Sequence, residues 1–351
     1  MKIAFYITGH GLGHATRAIL LMEALVRRLP SVSFLICTLA PREVLERYST
    51  FPFDYAQVGI DAGAVEKDIL NTDPVATLLA NQKLYANRDE IIGAESARLC
   101  NAKVDLVLFD CPPLAAAIAK EACVPSIGIG NFTWDFIYAD LAKELPEFKA
   151  IARQCRDDYA LTTLFLRLPL THDMPQFRRR RDMPLIARKG TMDVKSVREQ
   201  LGLSASDVNV LVALRGLPIN VRVHAGVGVK LLAFGDVTGP AVEQLGAPWQ
   251  RRFTDVLTAC DLVLSKPGYG IMSECLANGK PLLHLPRLGF AETPLLFDGL
   301  GKLLRHQEIT ISELEGGNLP RIAKGLMDAW PVPPVDANGA EVAADIIATE
   351  F

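Results

Sequence analysis

The sequence predicts an α/β protein built as two facing, doubly wound parallel-sheet domains with a cleft between them. Three observations carry this reading. The chain has 351 residues, too many for one ordinary core and suited to two domains of roughly 150 residues each. Near-continuous apolar strands alternate with helices, the pattern of a parallel sheet covered on both faces. Each half also carries a glycine turn between a strand and a helix, GHGLGH at the start and KPGYG in the second half.

Lys2–Ile7 reads as a buried strand running into the first glycine turn. The helix after it has Ala18, Leu21, Met22, Leu25 and Leu29 on one stripe. Val32–Cys37 is the second strand, and Pro41 stands where a helix N-terminus tolerates it. One long helix is expected from Thr72-Asp73-Pro74 to about Asn101. Val104–Phe109 is an apolar strand, followed by a helix through Leu114–Ala122 and a strand at Ser126–Ile129. Between Pro169 and Gly190 the composition turns proline-rich and basic, and Arg178–Arg181 reads as a solvated linker face. The domains are therefore expected at 1–170 and 191–337, with the crossing at 171–190.

The second half repeats the theme. Strands are expected at Val208–Leu214, Lys230–Phe234, Leu262–Leu264 and Pro281–Leu285. Phe253–Cys260 and Ile271–Asn278 read as helices, the latter stopped by Gly279. A last helix, within 338–351, follows a bend rich in proline and is expected to pack back on the first domain.

Half of the residues are hydrophobic and 22% are charged, which is enough material for two buried sheets. A net charge of −3 argues against a nucleic-acid partner, which needs a basic field. The seven cysteines are scattered, without metal-ligand or disulfide-framework spacing. That usage, with no apolar run long enough to span a bilayer and no signal-peptide pattern at the start, predicts a cytoplasmic protein.

Three motifs carry chemistry. In GHGLGHATR, Gly9–Arg17, glycines let backbone N–H groups approach an anion at a helix start. A dinucleotide reading wants an acidic residue at the end of the second strand, where Ile36-Cys37-Thr38 offers none. A phosphate loop is excluded because no Gly-Lys-Ser/Thr follows. What remains unusual is two histidines, His10 and His14, at the carboxyl edge of the sheet. Each is either a general-base candidate or a hydrogen-bonded structural histidine. Asp110, at the end of the strand Val104–Phe109, either caps the next helix or orients a base histidine. In SKPGYGIMSE, Ser265–Glu274, the N–H groups near Gly268, Tyr269 and Gly270 suit a diphosphate and Glu274 suits two ribose hydroxyls. Lys266 is either a counter-charge for phosphate or solvated, and Glu292 begins the next helix, where its dipole favours a carboxylate. Trp249 and Phe253 are candidates to flank a base. No Asp-x-Asp motif marks a divalent-metal site.

GHGLGHATR, NFTWDFIYA (Asn131–Ala139), FLRLP (Phe165–Pro169) and KPGYGIMSECLANGKP together resemble the N-terminal, glycosyltransferase-like part of L-arabinokinases and its stand-alone bacterial relatives. The resemblance covers nearly the whole chain. No Gly-Leu-Ser-Ser phosphate loop is present, so sugar kinase activity is not expected. More distantly the chain is similar to GT-B glycosyltransferases, two Rossmann-like domains facing across a cleft. These include the peptidoglycan N-acetylglucosaminyltransferase and plant UDP-glycosyltransferase types.

The resemblance implies a His14–Asp110 catalytic dyad, a ribose carboxylate at Glu274 and a sugar contact at Glu292. The donor-side candidates are Gly11, Gly13, Trp249, Ser265, Lys266, Gly268, Tyr269, Gly270, Glu274 and Glu292, and the acceptor-side candidates are His10, Asn131, Trp134 and Asp135. The expected activity is metal-independent, inverting sugar transfer from a nucleotide-sugar, a UDP-sugar by resemblance, with no further cofactor. One departure stands out. The usual Gly-Gly-Ser/Thr turn of the second domain reads Leu214-Arg215-Gly216-Leu217, with Arg215 as a substitute charge on the donor. A nucleotide-sugar hydrolase or epimerase, or a non-catalytic nucleotide-sugar-binding module, would use the same fold.

Overall fold

A computed structural model describes the chain apart from residues 69, 215–217, 224–227, 301–302 and 329–332. The first half runs β1 (Lys2–Ile7), α1 (Leu12–Arg28), β2 (Ser33–Thr38), α2 (Arg42–Tyr48), β3 (Asp54–Gln57), α3 (Pro74–Ala86), α4 (Arg88–Asn101) and β4 (Leu106–Asp110). It continues with α5 (Leu114–Glu121), β5 (Ser126–Gly130), α6 (Trp134–Leu141), α7 (Phe148–Tyr159), β6 (Leu164–Arg167) and β7 (Arg180–Asp182). These strands form one parallel sheet in the order β3-β2-β1-β4-β5-β6-β7. The sheet is doubly wound, and its strand order reverses between β1 and β4. The crevice outside the carboxyl ends of that pair is where such sheets place ligands.

The second half runs α8 (Val194–Gln200), β8 (Val208–Ala213), β9 (Ile219–Asn220), β10 (Val229–Ala233), β11 (Val237–Thr238), β12 (Val242–Gln244), α9 (Ala247–Arg251) and α10 (Phe253–Ala259). It ends with β13 (Leu262–Ser265), α11 (Tyr269–Asn278), β14 (Leu282–His284), α12 (Glu292–Leu300), β15 (His306–Glu308), α13 (Ile311–Glu315), α14 (Leu319–Met327) and α15 (Gly339–Glu350). Its main sheet is also parallel, ordered β12-β10-β8-β13-β14-β15, with β9 and β11 paired alongside. The reversal falls between β8 and β13, which puts the glycine turn of KPGYG at the second crevice. None of the described helices is long and apolar enough to cross a membrane.

Local chemistry explains the elements that frame the cleft. Gly11 enters α1 at φ 76°, in the region that favours glycine, and α1 starts without a side-chain cap. Its first-turn N–H groups are therefore left for a ligand. Helix α11 likewise opens after Gly268 with no side-chain cap, and Gly279 closes it at φ 62°. Asp73 caps α3 by accepting from the Ala76 N–H at 2.9 Å.

Two expectations are corrected here. The helix foreseen to Asn101 breaks at Asn87, whose Nδ2 donates to the Lys83 carbonyl at 2.8 Å while Arg88 turns toward Asp158. The basic run is not linker: Arg180–Asp182 is the edge strand of the first sheet. Arg179 and Arg181 both pair with Glu350 of the last helix, and Arg180 pairs with Asp173 at 3.2 Å. The crossing thus begins after β7. It is pinned to the second domain where Asp255 accepts from the Thr191 and Met192 N–H groups at 2.7 and 3.0 Å. Helix α15 lies on α1, with Ala343, Ala344 and Ile347 buried in the shared core. Arg27–Glu341 and Arg28–Asp345 pairs flank that seam at 2.8 and 2.9 Å.

Candidate active site

The β1–β4 register sets Ile7 beside Asp110, so the turn after β1 and the end of β4 meet at the switch point. His14, in the first turn of α1, places Nδ1 2.8 Å from Asp110 Oδ1. Asp110 is fully buried and the His14 side chain is 16% exposed. Arg17, three residues on and therefore on the same helix face, binds Asp110 with two donors. Its Nε reaches Oδ2 at 2.9 Å and its Nη2 reaches Oδ1 at 2.7 Å. Burial alone would push the Asp110 carboxyl up, but the Arg17 and His14 contacts hold it well below the usual carboxylate range. A charged Oδ1 can only accept, so His14 Nδ1 carries a proton, and in the neutral ring the lone pair falls on Nε2. The 3.2 Å between Arg17 Nη2 and His14 Nδ1 then separates two donors that share one acceptor.

Across the cleft, the two glycine turns approach closely. A Cβ on Gly270 would stand 3.3 Å from the Gly13 Cα, and one on Gly13 would stand 3.8 Å from Gly270 Cα. Backbone proximity of this kind is what glycine permits. Tyr269 lies under the Arg17 guanidinium, 5.1 Å from ring centroid to Cζ, and its buried hydroxyl has no partner among the described residues. Asn131 joins the domains: its Nδ2 donates to Glu292 Oε1 at 2.7 Å, and its Oδ1 accepts from Arg17 Nη1 at 3.3 Å. Glu292 is 4% exposed at the start of α12.

Farther along α11, burial pushes the Glu274 carboxyl up to about 7, with Arg188 opposing. Ser265 is buried and donates to the Ala213 carbonyl at 3.0 Å. Lys266 is half-buried and reaches Glu66 of the first domain at 3.4 Å. Trp249 is half-buried on α9, and Phe253 packs on Phe234 with ring centroids 5.8 Å apart. Arg215 lies outside the described residues.

The acceptor-side candidates divide. His10 bonds the Ala62 carbonyl through Nε2 at 2.9 Å and stands edge-on to Trp134, which is the structural alternative foreseen for it. Trp134 is buried and donates to Asp61 at 2.9 Å. Asp135, at the start of α6, is 2% exposed, and its oxygens accept from Gln176 and Arg156. A cavity of about 800 Å³ opens between α6 and the approach to α12, lined by Phe136, Lys143, Arg287, Phe290 and Phe297. Neither His14 nor Asp110 lines it. His14 meets Phe132 edge-on at 5.9 Å, and Phe132 meets Phe290 at 6.1 Å.

His14, Asp110 and Cys111 bring three potential donor atoms within 4.8 Å of one another. A cation there would compete with the Arg17 guanidinium for both oxygens of Asp110. The arrangement suits proton transfer and anion binding.

A family model described as glycosyl transferase family 1 matches residues 1–295. The chain belongs to that family. L-arabinokinase of Arabidopsis thaliana is 32% identical over 361 residues, covering 99% of this chain and 34% of that protein. The chain therefore spans about a third of that relative's length. Among solved structures, the glycotransferase of kitacinnamycin superposes with a TM-score of 0.60 at 16% identity, covering 99% of this chain and 98% of the other. CalG4, the calicheamicin glycosyltransferase, gives 0.58 at 15%, covering 99% and 97%. Phytolacca americana UGT2, complexed with UDP-2fluoro-glucose and pterostilbene, gives 0.55 at 13%, covering 100% and 96%. These likenesses establish the GT-B fold, and the family is one of glycosyl transferases.

Sequence reasoning missed Arg17. Its signal was present, because i and i+3 on a helix share a face and Arg17 stands three residues after His14. Asp61 and Glu66 were also missed, since the loop that carries them has no periodicity to read.

Proposed function

We propose that the protein transfers a sugar from a nucleotide-sugar, in our reading a UDP-sugar, to a hydroxyl-bearing acceptor with inversion and without a divalent cation. The observation that carries this is the 2.8 Å His14–Asp110 hydrogen bond at the switch point, opposite the uncapped start of α11.

In this mechanism His14 Nε2 takes the acceptor hydroxyl proton as the acceptor oxygen bonds to the anomeric carbon. The bond from that carbon to the diphosphate breaks, and the diphosphate leaves with the electron pair. Asp110 keeps the imidazole in the Nδ1–H tautomer and stabilises the imidazolium. The leaving diphosphate is met by N–H groups at the start of α11 and by Lys266. Glu274 takes the ribose hydroxyls and Glu292 the sugar. The UDP-2fluoro-glucose complexed with Phytolacca americana UGT2 supports this assignment of the cleft.

Calorimetry with UDP and UDP-sugars tests the donor half. Above pH 7, where the Glu274 carboxyl is ionised, Glu274→Ala should weaken binding by about 1.5–3 kcal/mol, the usual worth of a hydrogen bond to a charged group. Unchanged affinity in the variant would remove the ribose from Glu274.

A further inference from the structure

A buried chain of polar side chains runs from the base in one domain to Glu292 in the other. Arg17 holds both oxygens of Asp110 and, through Nη1, the Oδ1 of Asn131, whose Nδ2 holds Glu292. Arg17, Asp110, Asn131 and Glu292 are 5%, 0%, 1% and 4% exposed, so the chain is shielded from water along its length. In such surroundings charges act on one another far more strongly than at a surface.

A carboxylate that had only to orient an imidazole would need no arginine. Here the guanidinium takes part of the same oxygen that His14 uses, and its Nη2 stands 3.2 Å from Nδ1. The groups facing the ring are Asp110 and Cys111 from the end of β4, Arg17 on its own helix, and Phe132. Tyr269 and Glu292 add the contribution of the second domain beyond Arg17.

We propose that Arg17 is a positioning residue that sets how much of Asp110 is available to His14, and that Asn131 is a latch that makes this share depend on Glu292 of the other domain. A sugar hydroxyl donating to Glu292 competes with Asn131 for that carboxylate, and Arg17 Nη1 feels the change. Donor arrival in one domain is thereby communicated to the base in the other. The proposal deepens the reading of His14 as base and rests on it.

The test is a pH titration of the histidine ring signals by NMR, on the full ligand-free chain, with His14 assigned by its loss in His14→Gln. Arg17→Met should move the His14 midpoint up by about one pH unit, since a cation beside the ring is removed. Glu292→Gln should move it down, and that response should fall to half or less in an Asn131→Ala background, the signature of coupled residues. Arg17→Lys keeps the charge without the fork, so it should blunt the Glu292→Gln response in the same way. A midpoint that stays in place in Arg17→Met overturns the proposal. So does a Glu292→Gln response that survives intact with Asn131→Ala or Arg17→Lys. Should Arg17→Met not fold, the Glu292 and Asn131 variants decide. No turnover is measured, so absence of sugar transfer would defeat the functional reading and leave this result standing.

Discussion

Asp110 is a buried carboxylate with two donors on Oδ1, His14 and Arg17. If His14 is the base, His14→Ala should lower turnover by about 10²–10⁴-fold, the reach of general acid–base catalysis. Asp110→Asn should lower it too, and the double variant should be little worse than His14→Ala, because the pair acts as one unit. Steady-state kinetics on the three variants checks this; fully multiplicative losses would separate the two residues.

Glu274 gives a pH prediction of definite sign. Burial raises its carboxyl to about 7, above the ordinary 4.5, so the neutral form is the one the fold prefers. Its contribution to stability is complete below about pH 4.5 and lost as the pH climbs toward 7. Denaturant midpoints of the parent, compared with Glu274→Gln, should fall across that window; a flat difference would contradict the burial. His14 and Asp110 were legible from a glycine turn and a strand end. The engagement of Asp135 was not, because Gln176 and Arg156 reach it from 41 and 21 residues away along the chain.

At the scale of elements, α15 joins the first domain's core from the far end of the chain. Ile347 is fully buried there, so Ile347→Ala should cost about 2–5 kcal/mol. Arg27→Ala, at a pair more than half exposed on both sides, should cost less than about 1 kcal/mol. Chemical denaturation separates the two, and equal losses would mean that charge rather than packing holds the seam. Most strands and helices were legible because apolar periodicity is local. The break at Asn87 and the strand Arg180–Asp182 were not. The first depends on Arg88 turning to Asp158 on α7, and the second is a three-residue edge strand of charged residues. Its pairing to β6 is reinforced by Arg167 and Asp182, and no apolar alternation announces it.

For the whole molecule, two parallel sheets set their switch points face to face, and the contact between Gly13 and Gly270 is where they meet. The two-sheet architecture followed from alternating elements and two glycine turns; donor and acceptor identities did not, since they depend on loop side chains rather than on the fold. Turnover should survive a chelator, because Arg17 already satisfies the carboxylate nearest the reacting groups. Loss of activity in EDTA, restored by magnesium or manganese, would contradict this. The central claim is tested most directly by nucleoside-diphosphate release from a panel of nucleotide-sugars, with and without an acceptor library, in parent and His14→Ala, with products weighed by mass spectrometry. Acceptor-dependent release, a glycosylated product and a loss of about 10²–10⁴-fold in His14→Ala are predicted. Release that needs no acceptor and proceeds equally in both proteins would contradict sugar transfer by this base.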